Sequence, residues 1–467
     1  MGDAARPGST YFVPGVRIMK LGELRAGREE GEELTELNPD ILRVDVTRVN
    51  TGSCQYCITL NNWFDTLPAD RRAGFGQREL LRGAQPLWPR FKYNDFSVLN
   101  FGTRLRIDMR YFPDPIDGLS ETDKAAQRWV PMIAGPITDM RFTFASGEGA
   151  QLTVCGEDDL RMLKQKNRKK VDYWGVNEHD VIIDVLRRVC PKPPTSPPQP
   201  SVCAAPDPSC TGFPLPLSEP RIPWPNFVTG PARALAERHE EGQSFLEYLT
   251  KFAERFDFEV FIEFADLNDP ASGLTFHFEP ARSRLPPDRT IRDIYILERG
   301  KNLIDFTPTF KVLDQCTCVV VKGKHRVRTR PKLVDGIATP EVLNDELHRD
   351  EARGDPPLVP GPEIRRRIYG DNPCIANNTT NIDEERAEVM AEAQLRKQAR
   401  EFLTIDGLTI GLPRLRPGFH AEIRGMRPPF DGFYYVTKTI HTYGGDGLRT
   451  KFTGRRPGMP MPPYGEV

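Results

Sequence analysis

The chain has 467 residues, with Lys+Arg 64 against Asp+Glu 65 and a formal net charge of -1, so no global field draws it to nucleic acid or anionic lipid. Gly 38 and Pro 44 together stay below the roughly 25–30% that marks low-complexity disorder, which leaves a globular, turn-rich chain. At about 100–200 residues per domain the length predicts roughly two to four domains and excludes a single small fold.

The N-terminus, Met1-Gly2-Asp3-Ala4-Ala5-Arg6, lacks the apolar core of a secretory signal, and Arg6 stands where a myristoylation motif wants Ser or Thr. The longest apolar runs, such as Val181-Ile182-Ile183 and Cys318-Val319-Val320-Val321, are too short to cross a bilayer, so a soluble chain is expected. The first extended block starts at Ile41, where Val44, Val46 and Val49 alternate with polar neighbours as in a half-buried strand. Residues 57–60, 103–111, 137–144 and 151–155 repeat the pattern. Residues up to about 164 therefore read as a mainly antiparallel sheet or barrel.

The period then changes. Asn177 precedes a helical run through Val181, Ile182, Val185, Leu186 and Val189, with Asn177 as cap and early acids suited to the helix dipole. A second helix opens at Ser244, with Glu247 three residues on as a capping box, and puts Phe245, Leu246, Leu249, Phe252, Ala253 and Phe256 on one face. Between the helices, residues 190–227 carry Pro191, Pro193, Pro194, Pro197, Pro198, Pro200, Pro206 and Pro208. Prolines this dense remove backbone donors, so a polyproline-like surface loop is expected, either a stiff insertion or a partner-docking segment.

β signals resume at 258–263, 274–278, 294–296 and 316–321. A cation run, Lys322-Gly323-Lys324-His325-Arg326-Val327-Arg328-Thr329-Arg330, then suggests phosphate binding. The acids Asp345, Glu346, Asp350 and Glu351 follow it closely, however, and the expectation is a solvated loop. Ala387, Met390, Ala393, Ala399 and Phe402 predict a further helix from about 383 to 403. A last β block covers 408–410, 419–423, 432–441 and 448–453, with Asp431-Gly432 and Gly444-Gly445-Asp446-Gly447 supplying positive-φ turns.

Nine cysteines, an odd count without a signal peptide, argue against a secreted disulfide framework, and most are expected reduced and buried. Cys54 and Cys57 have one pair at zinc-ribbon spacing, with Cys316 and Cys318 as the other candidate ligands; buried structural thiols are the expectation. For Cys190, Cys203 and Cys210 a local disulfide and reduced thiols both remain open. The common phosphate-loop, dinucleotide, zinc-protease and serine-hydrolase motifs are absent. His179-Asp180, His420 with Glu422, and His441 are the remaining acid/base or metal candidates, each isolated and expected to be structural or exposed. Glu157-Asp158-Asp159 could serve glycoside hydrolysis, yet adjacent acids point apart and flank a strand end, which predicts turn and cap residues.

The C-terminal block carries a resemblance. Pro417-Gly418-Phe419-His420-Ala421-Glu422-Ile423-Arg424-Gly425, then Phe430-Asp431-Gly432-Phe433-Tyr434-Tyr435-Val436, then His441, Tyr443 and Leu448-Arg449-Thr450-Lys451-Phe452 resemble the ending of the phage late control D family. That family comprises the central baseplate hubs of contractile phage tails, and is similar to the hub part of type VI secretion spikes and of extracellular contractile injection systems. Segments 101–107, 134–138, 154–158, 243–249 and 300–306 fall in the family's order, so the resemblance spans about 41–456.

The resemblance implies a mainly β fold with α+β, in which two tail-tube-like β-barrels flank an α+β middle. It divides the chain into an N-terminal extension (1–40), a first barrel (41–168) and a middle domain (169–300) with its Pro-rich insertion (190–227). A second barrel (301–321 and 384–456) with a loop insertion (322–383) and a tail (457–467) follow. It implies a non-enzymatic homotrimer without cofactor, metal, nucleic acid or membrane insertion. This hub would join the six-fold inner tube to a separate trimeric spike and meet baseplate wedge proteins; it would assemble in the bacterial cytoplasm and belong to a virion-like or extracellular particle. Ring packing makes Phe430, Phe433 and Tyr435 interface candidates, with core the alternative. No fused spike or lysozyme domain is expected after Arg456. A tail-associated cell-wall hydrolase and a Pro-rich partner-binding module are the two alternatives.

Overall fold

The computed structural model describes residues 13–22, 31–64, 91–112, 129–144, 149–167, 169–174, 178–189, 236–267, 269, 271–285, 293–327, 330–351 and 354–460. The Pro-rich segment 190–227 with its three cysteines, and the C-terminal end of the tail, lie outside them. The first β block comprises β1 (Val13–Leu21), β2 (Gly31–Glu33), β3 (Ile41–Val49), β4 (Gln55–Asn61), β5 (Arg104–Phe112), β6 (Val130–Thr143) and β7 (Gln151–Glu157). They pair in the order β3-β4-β7-β6-β5-β1-β2. Alternation sends Ile18, Val44, Val46, Ile58, Leu60, Leu105, Ile107, Leu152 and Val154 into one core. Gly135 is required where β6 meets the end of β7: an added Cβ would lie 1.9 Å from the Glu157 carbonyl oxygen. The sheet reaches back before Ile41, because β1 pairs antiparallel with β5; residues 13–21 are sheet rather than extension.

The middle begins with β8 (Val171–Trp174), α1 (Glu178–Arg187) and β9 (Ala236–His239). It continues through α2 (Phe245–Arg255), β10 (Phe258–Phe264) and β11 (Leu274–Pro280). Ser244 caps α2 as its spacing predicts, accepting from the Glu247 N–H at 3.1 Å. The α2 side chains Phe245, Leu249 and Phe252 pack with Val181 and Val185 of α1, and with Val260, Phe276 and Phe278 of the β10–β11 hairpin.

The second β block comprises β12 (Ile294–Glu298), β13 (Leu303–Phe310), an insert, then β18 (Leu403–Ile410), β19 (His420–Arg424), β20 (Gly432–Gly444), β21 (Gly447–Arg456) and β22 (Gly458–Pro460). The insert holds β14 (Cys318–Val327), β15 (Arg330–Ala338), β16 (Leu358–Pro360), α3 (Gly361–Tyr369), β17 (Pro373–Asn381) and α4 (Glu384–Ala399). The loop expected at 322–383 is thus a folded α/β unit. Its sheet β15-β14-β17 buries Val319, Val321 and Val334 against Ala387, Ala391 and Leu395 of α4. The stretch 322–327 of the cation run is strand, with Lys322 and Lys324 facing solvent while Val321 and Gly323 are buried.

The two β blocks flank the middle as expected, but they are not two closed barrels. Strand β20, thirteen residues long, pairs with β19 over 432–435 and with β3 over 438–443, while β21 lies along its other edge. At about 3.3 Å per residue one strand is long enough to serve both blocks. The result is a single thirteen-stranded sheet, open between β13 and β2, with β12 attached through β19. Gly432 (φ 120°) and Gly447 (φ 84°) hold the positive-φ turns expected before and after β20.

Candidate functional site

The catalytic candidates do not converge. Asp158 caps the short 3-10 helix at 159–164 by accepting from Leu160 N–H, and also accepts from Cys54 N–H at 2.9 Å. Burial pushes its carboxyl up to about 6 against those hydrogen bonds. Asp159 holds Arg104 through two bonds of 2.6 and 2.9 Å, and Glu157 faces Lys164 at 2.5 Å. They are the turn and cap residues their spacing predicts. Glu422 is engaged by Arg424 at 2.8 and 2.7 Å. Burial pushes His420 and His441 each down to about 3, and His441 Nδ1 lies 3.0 Å from Thr450 Oγ1. His179 and Asp180 open α1, with side chains outside the described residues. No cluster of three or more metal-ligating side chains occurs among the described residues.

The expectation of structural free thiols at Cys57 and Cys316 is corrected. Cys57 and Cys155 form a disulfide between directly opposed residues of β4 and β7, and Cys316 is bonded to Cys374 at the base of the insert. Cys54 and Cys57 cannot meet, since three residues along an extended chain put them on opposite faces. The buried Cys54 thiol is pushed up to about 12, by burial and then by Asp158.

What converges instead is a buried ionic junction that sequence reasoning missed. Glu263 of β10 receives Arg48 of β3 at 2.8 Å and Arg416 at 2.6 Å. The Arg48 guanidinium also donates to the Met132 carbonyl at 2.6 Å. Burial would raise the Glu263 carboxyl, but the two guanidinium groups overcome it and hold it at about 2. A second network joins Asp257 and Glu346 to Arg400, with Arg396 bridging Asp345 and Glu346 at 2.6 and 2.9 Å. Arg400 and Asp257 thereby lock α4's C-terminal end onto the turn before β10. These bonds tie both β blocks and the insert to the middle.

Of the three interface candidates, Tyr435 is buried and donates its hydroxyl to Glu259 at 2.7 Å, and Phe433 is buried beside it. Phe430 stays half-buried on the wall of a cleft of about 380 Å³ with Arg299, Leu303, Asp305, Phe306 and Met426. This cleft lies beside β13, an edge strand whose Ile304 is exposed. A second apolar surface runs along the first block: rings of Trp63, Phe91, Phe144, Phe142, Phe96 and Phe101 follow one another at centroid spacings of 5.0 to 6.4 Å. Phe101 and Phe144 are each 58% exposed, more than an isolated ring on a monomer surface needs.

No family model and no curated protein matches the chain. Among solved structures, the 43 kDa tail protein of prophage MuSo2 from Shewanella oneidensis aligns over 95% of this chain and 98% of its own, at 10% identity and TM-score 0.51. A tail protein from Neisseria meningitidis MC58 aligns over 95% and 96%, at 11% identity and TM-score 0.50. The likeness extends over both β blocks, the middle and the insert at once, and the chain therefore has the fold of these tail proteins.

Proposed function

We propose that the protein is a structural baseplate hub of a phage-like contractile particle, a homotrimer that joins the six-fold inner tube to a separate three-fold spike. The observation that carries the reading is the near end-to-end likeness to tail proteins, together with the ordered hub-family motifs along the sequence. Support also comes from the chemistry: among the described residues, the acids and histidines singled out by sequence serve as caps, ion-pair partners or buried neutral rings. The interface role belongs to Phe430 and its cleft, with the ring ladder from Trp63 to Phe101 as a second contact surface for tube, wedge or spike.

Co-expression with spike and tube proteins encoded in the same genome tests the reading. The hub role predicts that both copurify with the chain, and that Phe430→Asp weakens copurification of a partner while leaving the melting temperature unchanged. Failure of the chain to retain either protein would overturn it.

A further inference from the structure

A small cavity lies where the insert, the second β block and the middle meet, its lining including Ser283, Glu346, His348, Arg400, His420 and Arg455. The space open to a water's centre is about 10 Å³, the room of one water molecule. Four of its lining side chains carry a polar atom with no hydrogen-bond partner in the chain: His348 Nδ1, His420 Nε2, Ser283 Oγ and the Arg455 Nε–H. Ser283, His348 and His420 are all more than nine-tenths buried, where leaving a polar atom unmatched is costly. The His348 and His420 rings stand 5.0 Å apart, tilted by 69°.

The chemistry of the wall selects the ligand. A metal cation would meet two imidazoles, but also the guanidinium groups of Arg400 and Arg455, and Glu346 is already committed to Arg396 and Arg400. An anion would suit those cations, yet it would face a lone pair. His348 Nε2 lies 2.9 Å from the Ser283 carbonyl oxygen, so that nitrogen carries the proton and the neutral ring presents Nδ1 as an acceptor. The wall thus offers both donors and a fixed acceptor. Water answers both, and it serves either tautomer of His420.

We propose that this cavity is a specific site for one buried water, which donates to His348 Nδ1, bonds His420 Nε2 and accepts from the Arg455 Nε–H. The water joins the insert, through His348, to β19 and β21, and completes the junction that the ionic networks begin.

The test is a high-resolution crystal structure of the full chain, with one crystal soaked in bromide, alongside thermal melts in added zinc chloride and sodium bromide. The expected result is a single peak at about 2.7–3.2 Å from both imidazole nitrogens, with no anomalous signal from bromide and no shift of the melt with either salt. His348→Gln, which keeps an acceptor, retains the peak; His348→Phe loses it and melts lower. A bromide peak in the cavity, stabilisation by zinc, or imidazoles in direct contact with no peak between them would each overturn the proposal. So would a peak that persists in His348→Phe.

Discussion

Replacing Glu263 by Gln should be one of the most damaging single changes in the chain. The carboxylate holds Arg48 at 2.8 Å and Arg416 at 2.6 Å, with side-chain exposures of 11%, 6% and 0% for the three residues. Glutamine keeps the shape but leaves two buried guanidinium groups without their counter-charge. Breaking a buried ion pair by removing one partner costs about 3–5 kcal/mol. Two charges about 4 Å apart at an effective dielectric of 20 interact by about 4 kcal/mol, so the two routes agree. Urea unfolding followed by tryptophan fluorescence would read the loss as a lower midpoint. Adding Arg416→Met to Glu263→Gln should restore part of it, because one unmatched charge is removed and the sites are coupled. A Glu263→Gln protein within about 1 kcal/mol of wild type would refute the claim that this junction holds the modules together.

Further expectations concern pH, the disulfides and the buried tyrosine. His420 and His441, held neutral and pushed down to about 3 by burial, bind protons less readily folded than unfolded. Stability should therefore fall as pH drops below about 6.5, by about 2 kcal/mol per histidine on reaching pH 5. Glu263 and Glu346, both held at about 2, add stability above their unfolded values that is lost from about pH 4.3 toward 2; denaturation curves from pH 7 to 3 would show both steps, and a flat profile would contradict them. Peptide mapping without reduction should recover Cys57 joined to Cys155 and Cys316 joined to Cys374, with Cys54 and Cys318 alkylated. Recovery of Cys54 joined to Cys57 would be the contrary result. Tyr435→Phe should lower stability by about 1–3 kcal/mol by depriving Glu259 of a buried donor, whereas Phe430→Asp should leave stability unchanged in the same melts.

Local periodicity made much of the fold legible. Alternation and β propensity located β3, β4, β5, β7, β10, β11 and β20; the cap at Ser244 marked α2, and the spacing of Ala387, Met390, Ala393 and Ala399 marked α4. What escaped was set by partners far along the chain. Strand β1 contains Pro14 and Gly15, which blur its pattern, and it is fixed by pairing with β5 about ninety residues away. Strand β17 reads as polar loop in Cys374-Ile375-Ala376-Asn377-Asn378-Thr379, yet it joins β14 in parallel. The cations of β14 resemble a solvated tract because only every second side chain meets α4.

The site was less legible for the same reason. The partner of Cys57 is 98 residues away and that of Arg48 is 215, distances over which spacing carries no information. Tyr435 could be read as interface or core; its bond to Glu259, 176 residues distant, decides for the interior. Phe430 sits two residues before the strand on a turn, so its ring reaches the cleft beside β13.

The solution mass of the purified full-length chain by light scattering tests the central claim most directly. The hub account predicts a particle three times the 52.9 kDa of one chain, persisting on dilution and binding the trimeric spike one to one by chain. A 52.9 kDa monomer at all concentrations, with no affinity for spike or tube, would contradict it.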